Sequence, residues 1–263
     1  MNNTINKRIA MWAGPRSRSS VITRAFEQLD ECEIFVLPLY GAYILKRPEV
    51  EDVPDQDLIM NDWGTDHHQV IHKITGDLPQ GKVFSFQKDN PMHVLPEFGT
   101  SWLKMLNNFF LIRDPKEVIL SYQKAMNGKL PSYGVGIKEI YQLFQKVETV
   151  TGITPLVIHS DDVVKDPQTA LQSLCTHLGI DFSPKMLTWK SGLQESKFLK
   201  LVEYSSAHEP WFSTVLNSQS FIPYQEKKIS FPDDLMPILE ECLPYYEKLL
   251  QHRINLIKDP EAK

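Results

Sequence analysis

The stretch KRIAMWAGPRSRSSVITRAF, residues 7–26, carries three patterns in succession. Lys7 to Trp12 is a short apolar run of the length of a buried strand. Ala13 to Arg18, with Gly14 and Pro15, is turn-forming. Ser19 and Ser20 then stand ahead of Val21, Ile22, Ala25, Phe26 and Leu29, apolar positions at helical spacing. Strand, loop and helix in that order open an α/β unit. A loop placed there turns several backbone N–H groups, and the positive end of the helix dipole, into one space. Ser17, Ser19 and Ser20 add hydroxyl donors; Arg16 and Arg18 add charge and forked N–H groups. That is chemistry suited to a phosphate.

The loop is not a Walker A sequence, G-x-x-x-x-G-K-[ST]. Counted from Gly14, the second glycine and the lysine fall on Ser19 and Ser20. On these residues alone, a capped helix start with solvated arginines is an equal reading.

Strand and helix patterns continue to alternate outward from this unit. Strands are predicted over Glu33–Leu39, Lys82–Gln87, Asn108–Arg113 and Pro155–His159. Helices are predicted over Asp66–Ile74, from Pro115 to about Asn127, over Ile137–Val150, from Pro167 to near Gly179, and from Asp233 to about Arg253 with a bend at Pro244. Met186 to Tyr224 is aromatic and polar and reads as short helices and loops. The expected fold is α/β, with a mainly parallel central sheet, helices on both faces and a helical and looped C-terminal region. One domain over residues 1–263 is expected, its more irregular part, 186–263, forming an acceptor-pocket wall and a closing helix.

Composition narrows the function. A net charge of -5 and a pI near 5.9 argue against a general nucleic-acid binder. Cys32, Cys175 and Cys242 are scattered and odd in number, which fits reduced thiols and no structural metal. No secretory leader and no apolar run long enough for a bilayer is present, so a cytoplasmic protein without membrane attachment is expected.

A second motif, RDPKEVILS over 113–121, leaves a predicted strand and enters a helix. Arg113 at the strand end and Ser121 two turns on reach one anion if the helix packs back over the sheet edge. An arginine in an ion pair and a serine on a helix face is the plainer alternative. Taken together and in order, the motifs resemble the PAPS-dependent sulfotransferase family, PAPS being 3′-phosphoadenosine-5′-phosphosulfate. Residues 14–20 resemble its 5′-phosphosulfate loop, P-[KR]-[ST]-G-[ST]-[ST], and residues 113–121 match its 3′-phosphate motif, R-x-P-x-[DE]-x-x-x-S. Gln87, Lys88 and Asp89 stand where members often place Lys-Thr-His, and 159–179 resembles a following strand, turn and helix. The resemblance covers roughly residues 7 to 180, with a weaker echo over Trp211–Phe221. Arg18 departs from it, standing where a glycine is usual; so does Val21, where many members have a tryptophan near adenine.

The resemblance implies a P-loop fold and sulfuryl transfer from PAPS to a hydroxyl, in preference to an amine, of a small metabolite or natural product, as in secondary metabolism. Arg16 is then expected to stabilise the departing phosphate oxygen. Ser17, Arg18, Ser19 and Ser20 are expected to hold the 5′-phosphate, and Arg113 and Ser121 the 3′-phosphate. Lys88 assists at the sulfuryl group, and no metal is required. The histidine that serves many members as base falls on Asn90 here; His93 is the nearest substitute and Asp89 a lesser one, while a plain helix-face histidine is the alternative for His93. His67, His68, His72 and His208 are expected on the surface or lining a pocket, and residues 40–65 and 186–225 as pocket walls. Two other functions compete: a non-catalytic PAP- or nucleotide-binding protein on the same scaffold, and a metal-dependent P-loop kinase. Acceptor identity, adenine contacts and oligomeric state are not written in the sequence.

Overall fold

The computed structural model describes residues 7–47, 55–130, 135–192, 196, 209–226 and 230–257. Five strands, β1 (Lys7–Ala13), β2 (Cys32–Val36), β3 (Phe84–Asp89), β4 (Asn107–Ile112) and β5 (Leu156–His159), form one sheet in the order β2-β3-β1-β4-β5. Every pairing is parallel. Helices are α1 (Ser19–Glu27), α2 (Tyr40–Lys46), α3 (Gln56–Trp63), α4 (His67–Thr75), α5 (Pro115–Ala125), α6 (Ile137–Thr151), α7 (Ser160–Lys165), α8 (Pro167–Leu178), α9 (Glu209–Leu216) and α10 (Met236–Leu250).

Parallel strands need crossovers, and the crossovers bury both faces of the sheet. Side-chain alternation along β1 sorts them. Ile9, Met11 and Ala13 pack with Ile22, Ala25 and Phe26 of α1 and Leu171 and Leu174 of α8. Ala10 and Trp12 face the opposite layer, with Leu143, Phe144 and Val147 of α6. All of these are almost fully buried. A third cluster joins Val118 and Ile119 of α5 to Leu239 and Cys242 of α10.

The predicted α/β architecture stands, with local corrections. β2 stops at Val36, three residues early, because Leu37 turns into the left-handed region at φ 48°. The third strand is Phe84–Asp89, two residues later than its apolar pattern suggested. The closing helix begins at Met236, after a 3-10 turn over Asp233–Leu235, and ends at Leu250; Pro244 lies inside it. Helices α2, α3 and α7 were not anticipated. Gln56 and Asp57, within the expected 40–65 pocket wall, begin α3; residues 48–54 lie outside the described residues. Gly179 ends α8 in the left-handed conformation, as a C-terminal glycine should.

Because all five strands run one way, all five carboxyl ends meet one edge. β1 is flanked by β3 and β4, and the crevice at such a switch in strand order is where α/β sheets bind ligands. At this edge lie the loop 14–18, Leu37, the turn after Asp89, Arg113 and the start of α7.

Candidate active site

The loop after β1 is tight. A Cβ added at Gly14 would sit 3.3 Å from the Ile140 side chain and 3.5 Å from the Val135 carbonyl oxygen, so a side chain there would press on the start of α6. Ser17 Oγ donates to the Gly14 carbonyl at 2.7 Å and closes the turn. Arg16 and Arg18 both adopt left-handed backbone, φ 59° and 65°. Each such residue costs roughly 1–2 kcal/mol when it is not glycine. At Arg18, where a glycine is usual, the sheet edge holds the side chain in return. Its guanidinium pairs with Glu117 Oε2 at 2.9 Å and with Asp161 Oδ1. Arg18 is therefore committed to α5 and α7. It precedes α1 without capping it by its side chain, leaving the first N–H groups of that helix without a side-chain acceptor from the cap residue.

Arg16 reaches across to the second motif. Its Nε donates to Ser121 Oγ at 3.0 Å and its Nη1 to the Trp211 carbonyl at 2.8 Å, with the Trp211 ring centroid 5.7 Å from the guanidinium. Arg113 reaches back: Nη1 donates to the Arg16 carbonyl at 2.7 Å, and Nη2 pairs with Glu117. Asp114 caps α5 by accepting from Lys116 N at 2.8 Å, and Pro115 occupies the first turn, so Arg113 is fixed at the junction. Buried Arg113 Nε has no hydrogen-bond partner among the described residues. Burial and mutual repulsion lower the pKa of Arg16, and burial and neighbouring Arg18 lower that of Arg113. Arg18 and Arg113 share two carboxylates, Glu117 and Asp161, and Arg16 pairs with no carboxylate among the described residues, so the cluster of three guanidiniums keeps uncompensated positive charge.

Beside it, β3 ends in a different arrangement. Lys88 is 9% exposed, and its ammonium has no hydrogen-bond or ion-pair partner among the described residues. Burial depresses its pKa to about 8, against the opposing pull of Asp89. The Asp89 carboxylate accepts from Leu39 N at 3.0 Å, from Asn90 N at 2.7 Å and from His93 Nδ1 at 2.6 Å. A carboxylate has no proton to give, so Nδ1 carries the hydrogen, and in the neutral ring Nε2 is the nitrogen with the free lone pair. Asn90, at the place of the expected base, instead caps the 3-10 turn Pro91–His93 through Met92 N. His93 is 4% exposed, not a solvated face.

The structure thus brings Arg16, Arg113 and Ser121 into direct contact. On the adjoining strand, Lys88 lies one residue before the end of β3 and His93 in the turn that follows; Ser17 belongs to the loop after β1, and Ser19 and Ser20 begin α1. Sequence reasoning missed two groups. Tyr40 and Tyr43 lie against His93. His159, at the end of β5, accepts from Asp161 N through Nδ1 and so presents Nε2–H to the Tyr246 hydroxyl at 3.1 Å. Only a histidine at a strand end hinted at the second. A groove of about 260 Å³ adjoins the 91–96 turn, between Tyr43, Met92, Leu95, Glu139 and Leu143. Its Tyr43 wall falls within the predicted 40–65 stretch; the α6 wall was not predicted. His67 stacks on Phe98 at 4.4 Å, and His68 is exposed. His208 lies outside the described residues. No helix among the described residues is long and apolar enough to cross a membrane.

Comparison with known proteins adds a family. Residues 7–252 match the Sulfotransferase domain family, reaching well beyond the region that the motifs alone covered. Branched-chain-amino-acid aminotransferase-like protein 2 of Arabidopsis thaliana is 29% identical over 252 residues, 95% of this chain and 43% of that protein. The corresponding protein 1 of the same plant is 25% identical, over 96% of this chain and 44% of its own length. The chain therefore spans less than half the length of these curated relatives. A sulfotransferase domain from the curacin biosynthetic pathway superposes with a TM-score of 0.48 at 15% identity, over 90% of this chain and 97% of that one. A sulfotransferase from Alicyclobacillus acidocaldarius gives 0.49 at 13% identity, over 81% and 97%.

Proposed function

The chain belongs to the sulfotransferase domain family, and from that premise we propose that it transfers the sulfuryl group of PAPS to a hydroxyl of a small acceptor, releasing PAP. The observation that carries this reading is the direct contact between the two anion motifs: Arg16 on Ser121, and Arg113 on the Arg16 carbonyl. These groups form one cradle with spare positive charge. Arg113 Nε, which has no partner among the described residues, and the N-terminus of α1 are further donors suited to phosphate oxygens. PAPS carries phosphates at both ends of its ribose, and two joined motifs answer to two phosphates. Arg16 and Ser121 exchange their mutual bond for bonds to the donor.

Sulfuryl transfer resembles phosphoryl transfer in that positioning and charge stabilisation supply most of the rate. The acceptor oxygen forms a bond to sulfur as the bond from sulfur to the phosphate oxygen breaks. Charge grows on that phosphate oxygen and on the sulfuryl oxygens, where Arg16 and Lys88 act. The acceptor proton passes to His93 Nε2, and Asp89 holds the imidazole in the accepting tautomer. The Asp89–His93 pair favours an enzyme over a passive PAP binder. The absence of a Walker lysine at Ser20 counts against a P-loop kinase. The aminotransferase-like name belongs to proteins more than twice as long and is not carried to this chain.

Thermal unfolding with PAP, 5′-AMP and ATP with magnesium at matched concentrations tests the reading. A ligand at a hundred times its Kd stabilises by about 2.7 kcal/mol. A shift with PAP and little with 5′-AMP is expected, followed by sulfate transfer from PAPS to an acceptor panel. A shift with magnesium ATP alone overturns it.

A further inference from the structure

His93 is packed against two tyrosines that nothing in the two anion motifs requires. The Tyr40 ring stacks on the imidazole, centroids 4.8 Å apart and planes 18° from parallel. The Tyr43 ring lies at the same separation, tilted 36°. Both come from α2, and α2 is held in register with the dyad. Leu37 turns left-handed at the end of β2, Leu39 N donates to Asp89 Oδ2, and Tyr40 N donates to the Leu37 carbonyl at 2.9 Å. On its far side α2 is pressed against α3: a Cβ on Gly41 would lie 2.5 Å from the Gly64 carbonyl oxygen. One carboxylate therefore fixes both the tautomer of His93 and the helix that brings the rings to it.

We propose that Tyr40 and Tyr43 are positioning residues that hold the His93 ring edge-on to the reaction and stabilise its imidazolium form through their π faces. This rests on the reading of His93 as the proton acceptor. The faces of aromatic rings are electron-rich and attract a cation packed against them, most strongly where water is excluded. Neutral His93 gains little from such rings; the imidazolium formed when it takes the acceptor proton gains more. The rings thus favour the state that His93 enters as the acceptor oxygen becomes nucleophilic. Charged groups on the elements packed around the turn are Lys88 and Asp89 of β3, Lys46 and Arg47 at the end of α2, and Glu139 and Lys146 of α6. Of these, Asp89 alone touches the ring among the described residues.

The test is the titration of His93 by NMR in the full chain, its signal assigned by loss in His93→Gln. Tyr40→Leu removes the π face, and Tyr40→Phe keeps it. The Leu variant is expected to move the His93 midpoint to lower pH by about half a unit or more, with Phe at the native value. In turnover, the acid limb of kcat against pH should follow the same order at unchanged PAP affinity. Native midpoints in both variants overturn the proposal. So does an equal shift in both, which assigns the effect to the hydroxyl. Tyr43→Leu supplies the same measurement if Tyr40→Leu does not fold. The NMR midpoint needs no substrate, so failure to find sulfation leaves this result standing, and a flat midpoint leaves the sulfotransferase reading intact.

Discussion

Replacing Asp89 with Asn alters one atom and separates the two halves of the proposed site. The carboxylate serves three donors, Leu39 N and Asn90 N from the backbone and His93 Nδ1, and is almost fully buried. An amide has one accepting oxygen. If it faces Asn90 N and His93, the NH2 group meets Leu39 N and that donor is orphaned. If it turns over, Leu39 is served, Asn90 N is orphaned, and the amide donates to Nδ1, forcing the proton onto Nε2. Either way one buried N–H loses its acceptor, at about 1–3 kcal/mol. For a chain of this size each kcal/mol lowers Tm by roughly 2–4 °C, so a fall of roughly 2–12 °C is expected. Turnover loses the charge that stabilises the imidazolium, and in the second orientation the accepting lone pair as well. A fall in kcat of about 10²–10⁴ is expected, the scale of general-base catalysis. PAP binding, centred on Arg16, Arg113 and Ser121, should stay within about twofold by calorimetry, under 0.5 kcal/mol. Turnover within about threefold of the native rate, or a loss of PAP affinity matching the loss of kcat, refutes the assignment of proton transfer to the β3 end.

Arg113→Ala should weaken PAP by about 1.5–3 kcal/mol, roughly ten- to a hundredfold in Kd by calorimetry, while 5′-AMP binding changes little. Lys88 titrates near 8 in the fold and near 10.5 unfolded, because burial disfavours its charge. Below pH 8 the buried ammonium costs stability, and the cost is relieved as pH rises from 8 through 10.5, above which both states are neutral. Lys88→Met should therefore be more stable than the native chain at pH 7, by up to about 3 kcal/mol in urea unfolding, and that advantage should shrink between pH 8 and 10.5. Arg18→Ala and Arg18→Gly both lose the pairs to Glu117 and Asp161, but only glycine relieves the left-handed backbone; urea titration should find the glycine variant more stable than the alanine one by about 1 kcal/mol.

The elements legible in the sequence were those with strong local signatures. β1, the loop and α1 were read from an apolar run, Gly14-Pro15 and helical spacing, and α5 from Pro115. α4 showed its start in Asp66, which accepts from His68 N and Gln69 N. α2 and α7, at seven and six residues, are too short for helical periodicity to register, and α2 contains a glycine. Gly41 belongs there for a tertiary reason, its contact with the Gly64 carbonyl, which no local pattern records. The same limit explains Arg18. Its sequence position implied a phosphate contact, but its partners, Glu117 and Asp161, lie 99 and 143 residues away in the chain. The stacking of Tyr40 on His93 crosses from one strand end to another and leaves no spacing signal.

The strand order also sets a sequence of assembly. β1, β2 and β3 lie together on one side of the sheet and are contiguous in the chain. Everything that orients His93, from Leu37 through Tyr40, Tyr43 and Asp89, is contained in that first segment. The anion cradle is not: β1 shows an unpaired edge until β4 arrives with Arg113, and Arg16 finds its Trp211 partner only near the end of the chain. As the chain leaves the ribosome, the proposed proton-handling half has all its parts long before the proposed donor-binding half. An unpaired β1 edge is open to pairing with a neighbouring chain in that interval. Truncations that end between β3 and β4 leave that edge permanently open, and self-association is the failure they invite.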